Sequence, residues 1–64
     1  MTKIRRGGYV FVTWKGDHPP RHVHVYRDAR FLAKWDLERS RTMEGTMPLR
    51  AVRLIRKLVG EGRL

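Results

Sequence analysis

The chain alternates apolar and polar positions in three stretches and then switches to a helical period. Tyr9-Val10-Phe11-Val12-Thr13-Trp14 is β-branched and aromatic throughout, which predicts a strand. Tyr9, Phe11 and Thr13 fall on one side of it, and Val10, Val12 and Trp14 on the other. Residues 15–20 read as a loop, because Pro19 and Pro20 lack the amide donors a central strand needs. Residues 21–27 alternate again, with His22, His24 and Tyr26 on one side and Val23 and Val25 on the other. Asp28-Ala29 predicts a two-residue hairpin turn, although alanine fits poorly where φ must be positive. Residues 31–37 form a third strand. Phe31, Ala33, Trp35 and Leu37 make its apolar side, opposite Lys34 and Asp36.

Residues 38–47 show no clean period and include Gly45, so they read as a connector. Pro48 is a helix start signal. From Leu49 onward, Ala51, Val52, Leu54, Ile55, Leu58 and Val59 share one arc of a helical wheel, and Arg50, Arg53, Arg56 and Lys57 share the opposite arc. Gly60 is the expected stop, and Gly62 repeats the signal. The predicted order is β-β-β-α in one domain over residues 1–64. Its simplest packing is an α+β fold, a three-stranded antiparallel sheet with the C-terminal amphipathic helix across one face.

Composition narrows the class. The chain has 64 residues, and a fold of roughly 60 residues buries only about 60% of its unfolded surface. At 41% hydrophobic it has too much apolar surface for a disordered basic tail. It contains no cysteine, so disulfides and thiolate metal sites are excluded, in keeping with a reducing compartment. No apolar run approaches the roughly 20 residues that cross a bilayer, and the first eight residues lack a signal-peptide pattern. A cytoplasmic location without membrane association is the expectation.

Charge points to a partner. Fifteen Lys+Arg against six Asp+Glu give a net charge of +9. Residues 1–30 carry +5, residues 31–47 balance to zero, and residues 48–64 carry +4. Two basic segments therefore flank a neutral middle, and they form either two basic surfaces or one shared surface after folding. Arginine dominates, and its fork suits phosphate oxygens and carboxylates. Nucleic acid or an acidic protein is the matching partner.

All three histidines lie in Asp17-His18-Pro19-Pro20-Arg21-His22-Val23-His24. On a strand, His22 and His24 point to the same side. Two neighbouring imidazoles permit zinc binding, with His18 or Asp17 as third ligand. They also permit acid–base cleavage of a phosphodiester beside Arg21, or a charge switch as pH falls. The plain alternative is a pair that stacks on Tyr26 and does no chemistry. The aromatics divide likewise between base-stacking platforms and core, with Phe11, Phe31 and Trp35 expected in the core. Tyr26 stands apart because it shares a side with histidines.

The Gly8-Tyr9-Val10-Phe11 start, the His18-Pro19-Pro20-Arg21-His22-Val23-His24-Val25 centre and the Ala33-Lys34-Trp35 strand before a short helix resemble a small prokaryotic family. It is the one numbered four-one-six-zero among domains of unknown function, marked by a Pro-Pro-x-His-Val-His-Val centre. The ending Leu58-Val59-Gly60-Glu61-Gly62-Arg63-Leu64 is also similar to some members. The resemblance implies a gene beside another small domain, as in toxin–antitoxin pairs, and marks His22 and His24 as the functional match. The His-Val-His-Val string is similar to part of the histidine-triad nucleotide hydrolases as well, but Tyr26 stands where their third histidine is required.

The leading expectation is a small basic module of toxin–antitoxin type that binds nucleic acid, RNA more than DNA. It would use Arg21, Arg27, the helix arc Arg50, Arg53, Arg56 and Lys57, and the face formed by His22, His24 and Tyr26. It needs no cofactor and has a cognate antitoxin-like protein as partner. One alternative is a metal-independent ribonuclease toxin with His22 and His24 as acid and base. Another is a protein that holds zinc at His18, His22 and His24. Three strands would leave two open edges, which favours self-association or strand pairing with the partner.

Overall fold

The computed structural model describes residues 1–16 and 18–64. Five strands precede one helix: β1 (Thr2–Arg6), β2 (Tyr9–Thr13), β3 (His22–Arg27), β4 (Arg30–Asp36), β5 (Arg41–Gly45) and α1 (Leu49–Gly60). They form one antiparallel sheet in the order β1-β2-β3-β4-β5. The α+β class and the C-terminal helix hold, and the expected three strands become five. The two added strands are the outermost. Ile4 is the one buried side chain of β1, and every residue of β5 is exposed. Neither strand therefore carries the apolar alternation that marks β2, β3 and β4. β5 occupies half of the expected connector.

Tight turns fix the register. Gly7 and Gly8 have φ of 61° and 84°, a two-residue turn that pairs Arg6 with Tyr9 and Ile4 with Phe11. The Asp28-Ala29 hairpin is present as expected, with φ of 51° and 63°, and pairs Arg27 with Arg30. Just beyond it the register shifts, so that Tyr26 faces Phe31 but Val25 faces Ala33. Leu32 is the extra residue of a bulge. A second shift between Lys34 and Trp35 leaves Met43 without a partner in the ladder.

One face of the sheet carries the core. Ile4, Tyr9, Phe11, Val23, Val25 and Trp35 pack with Ala51, Val52, Ile55 and Leu58 of α1. The helix arc matches expectation apart from Val59, which is 48% exposed. The stop also differs. Gly60 is helical, and the chain leaves the helix at Gly62, whose φ is 74°. Arg63 N–H bonds the Leu58 carbonyl at 2.9 Å and Gly62 N–H bonds that of Val59 at 3.0 Å, a Schellman ending with Gly62 as its left-handed residue. Arg6 Nη1 reaches both oxygens of Glu61 at 2.9 and 2.8 Å and ties β1 to this end of the helix. That bond holds the Glu61 carboxyl below its usual range.

Asp36 is expected on the polar side of its strand, but it is buried at 1% exposure in the turn after β4. Its carboxylate accepts the N–H groups of Glu38 at 2.8 Å and Arg39 at 2.9 Å, and the Arg39 guanidinium lies at 3.3 Å. The Arg39 amide above all holds its pKa below 3.8.

Candidate functional site

Cross-strand partners share a face, so the register defines the side that α1 leaves uncovered. One row across it runs Arg5, Val10, Tyr26, Phe31. The next runs Lys3, Val12, His24, Lys34, Glu44. His22 lies opposite Asp36, beyond the second row. Cations thus stand at the β1 side and at Lys34, with aromatic, imidazole and valine side chains between them.

The rings form a chain. His22 and His24 have centroids 5.3 Å apart, His24 and Phe31 6.1 Å, and Tyr26 and Phe31 5.8 Å with the edge of one toward the other. Phe31 is 41% exposed and belongs to this face, not to the core as the plain alternation of residues 31–37 predicts. The bulge at Leu32 is the reason, since Leu32 packs against the core in its place. A shallow groove of about 350 Å³ runs beside the rings, lined by Lys3, Arg5, Val10, Val12, Trp14 and Tyr26. Trp14 is 47% exposed at its end.

The histidines are oriented by the backbone. His22 Nδ1 lies 2.8 Å from the Pro20 carbonyl, which can only accept, so Nδ1 carries the proton and Nε2 is the basic atom of the neutral ring. His18, His22 and His24 line one cavity of about 290 Å³ with Lys34 and Met43. Among the described residues, no three His, Asp or Glu side chains are grouped to hold a metal ion. Asp17, the other third ligand weighed for zinc, lies outside the described residues.

The remaining expected site residues do not join this face. Arg27 turns to the covered side, where its guanidinium carbon sits 5.3 Å over the Tyr9 ring and Nη1 is 3.4 Å from the Tyr9 hydroxyl. Arg21 lines a separate cleft with Leu37 and Glu38. Arg50, Arg53, Arg56 and Lys57 are exposed on the side of α1 turned away from the sheet. The helix arc and the open sheet face therefore form separate surfaces, while Arg63 of the second basic segment meets Lys15 and Arg21 of the first at one cleft. Lys34 lies on the open face as alternation places it, and Lys3, Arg5 and Phe31 are the residues there that plain alternation misses. The turn signals point to all three. A Gly-Gly turn pairs Arg5 with Val10 and Lys3 with Val12, and a two-residue turn at Asp28-Ala29 pairs Tyr26 with Phe31.

Among the described residues, no helix is long and apolar enough to cross a membrane. Residues 8–63 match the profile of a family described as a domain of unknown function (DUF4160). No curated protein and no solved structure matches the chain.

Proposed function

For a chain that belongs to the DUF4160 family, a description that assigns no activity, we propose a binding module for single-stranded nucleic acid, RNA in preference to DNA. The observation that carries this reading is the uncovered sheet face. Tyr26, Phe31, His24 and Trp14 supply stacking surfaces there, flanked by Lys3, Arg5 and Lys34. A small two-layer domain gains only modestly in stability from cross-strand aromatic pairs on its solvent side. Unstacked bases, in contrast, gain from ring faces, and their phosphates gain from cations at the rim. The net charge of +9 adds attraction at long range.

Titration of a short single-stranded RNA, its DNA equivalent and a duplex, followed by Trp14 fluorescence, tests the proposal. The single-stranded RNA binds best. Its log affinity falls against log salt with a slope of about −2 for three phosphate contacts. An interaction that is undetectable at low salt, insensitive to salt, or strongest for the duplex overturns it.

In a toxin–antitoxin setting, the cognate small protein or a second copy would add a strand at β1 or β5, which end the sheet. A second reading, cleavage of the bound strand, is favoured by one observation: the Pro20 carbonyl directs the basic Nε2 of His22 away from the backbone, beside the His24 ring. It predicts RNA cleavage with a bell-shaped pH profile. Cleavage that persists in both His22→Ala and His24→Ala removes this reading.

A further inference from the structure

A cleft of about 700 Å³ lies not on the sheet face but at its end. Lys15, Arg21 and Arg63 line it, and among the described residues Glu38 is the carboxylate side chain there. Glu38 turns that carboxylate to the backbone N–H of Arg21, a bond independent of the Arg21 guanidinium. Met1 and Leu64 also line the cleft. Among the described residues, three cationic side chains thus stand against one carboxylate in a concave site, the arrangement that takes a doubly charged oxyanion.

Two residues connect this cleft to the open face. Trp14 lines both the cleft and the apolar groove along β2, and His22 lines both the cleft and the histidine cavity. A strand whose bases lie along Tyr26, Val10 and Val12 toward Trp14 would therefore bring its last phosphate to Lys15, Arg21 and Arg63. We infer that the cleft binds the terminal phosphomonoester of a single-stranded oligonucleotide. The inference rests on the sheet-face reading for the path of the strand and on the three cations for its end. A terminal monoester carries more charge than an internal diester, so the cleft distinguishes a phosphorylated end from a hydroxyl end.

The test compares 5′-phosphorylated, 3′-phosphorylated and unphosphorylated forms of one short RNA, with inorganic phosphate as a separate probe. One phosphorylated form is expected to bind wild type about tenfold tighter than the unphosphorylated form, or about 1.4 kcal/mol. Arg21→Ala and Arg63→Ala should each erase most of that preference and leave affinity for unphosphorylated RNA nearly unchanged. Both keep the backbone N–H groups that Glu38 and Leu58 accept. Inorganic phosphate should shift the amide resonances of Lys15, Arg21 and Arg63 in wild type. Equal affinity for all three RNAs, with Tyr26→Ala weakening each, overturns the cleft and leaves the sheet-face reading standing. If no RNA binds but phosphate shifts the cleft resonances, the sheet face fails and the anion site survives without its strand. Absence of both effects overturns both.

Discussion

The two faces of this sheet are built from alternate residues of the same strands, yet they obey different rules. On the covered face, Phe11, Val23, Val25 and Ala33 are fully buried, and Ile4, Tyr9 and Trp35 are nearly so. All but Ala33 form one core cluster with Ala51, Val52, Ile55 and Leu58 of α1. On the open face, Tyr26 and His24 are half-buried and Phe31 and Trp14 are exposed, with lysine and arginine beside them. Stability accounts for the first face and leaves the second unexplained. The solvent side of an antiparallel sheet is ordinarily polar, so rings kept there point to a ligand.

The strongest way to break this comparison is to cut a large side chain from each face. Phe11→Ala should cost about 3–5 kcal/mol, enough to unfold much of a domain this small, as read by denaturant or thermal melting. Tyr26→Ala on the open face should lower stability far less. It should weaken RNA binding by about 1–3 kcal/mol, or roughly 5- to 150-fold. If Tyr26→Ala melts the protein as Phe11→Ala does, the open face is structural and the comparison collapses.

A turn gives a smaller and opposite effect. Ala29 holds a φ of 63°, where a Cβ is strained by roughly 1 kcal/mol. Ala29→Gly should therefore raise the melting temperature by a few degrees, provided the gain is not offset by the entropy of the unfolded chain. RNA affinity should change little, because Ala29 adds only a methyl group to the groove wall, with no charge or ring.

Acid supplies the mildest test. The Asp36 pKa is lowered from 3.8, chiefly by the Arg39 amide, so its ionised form stabilises the fold at pH values above 3.8. That contribution is lost as pH falls through the lowered folded value. Glu61, lowered from 4.5 by its bond to Arg6, follows the same sign. Melting curves below about pH 4 should show the loss, and Asp36→Asn should flatten it. Both carboxylates brace the frame, one in the β4–β5 turn and one at the helix end, and neither belongs to the ring chain of the open face.

Much of this was legible in the chain itself. The alternation of residues 9–14 put Tyr9 and Phe11 on one side of their strand, and that of residues 21–27 put Val23 and Val25 opposite His22, His24 and Tyr26. The helix arc of Ala51, Val52, Ile55 and Leu58 was equally plain. These patterns are local, since the pleat and the helical turn fix where each side chain points. β1 and β5 escaped notice because an edge strand needs few buried side chains to pair. Phe31 was misplaced because a bulge depends on how two strands meet, and no single segment encodes that.

The sequence by itself determined the sidedness of β2 and β3, the amphipathic helix, the Asp28-Ala29 turn and a surplus of positive charge. Only the tertiary structure decided which surplus charges share a surface. Burial of Phe11, Val25 and Trp35 draws α1 onto one face, which carries Arg50, Arg53, Arg56 and Lys57 to the far side of the molecule. The same packing leaves His24, Tyr26 and Phe31 uncovered beside Lys3, Arg5 and Lys34. The physical reason is that a helix can cover one face of a sheet and not both. Alternation names the two faces, and hydrophobic burial chooses between them.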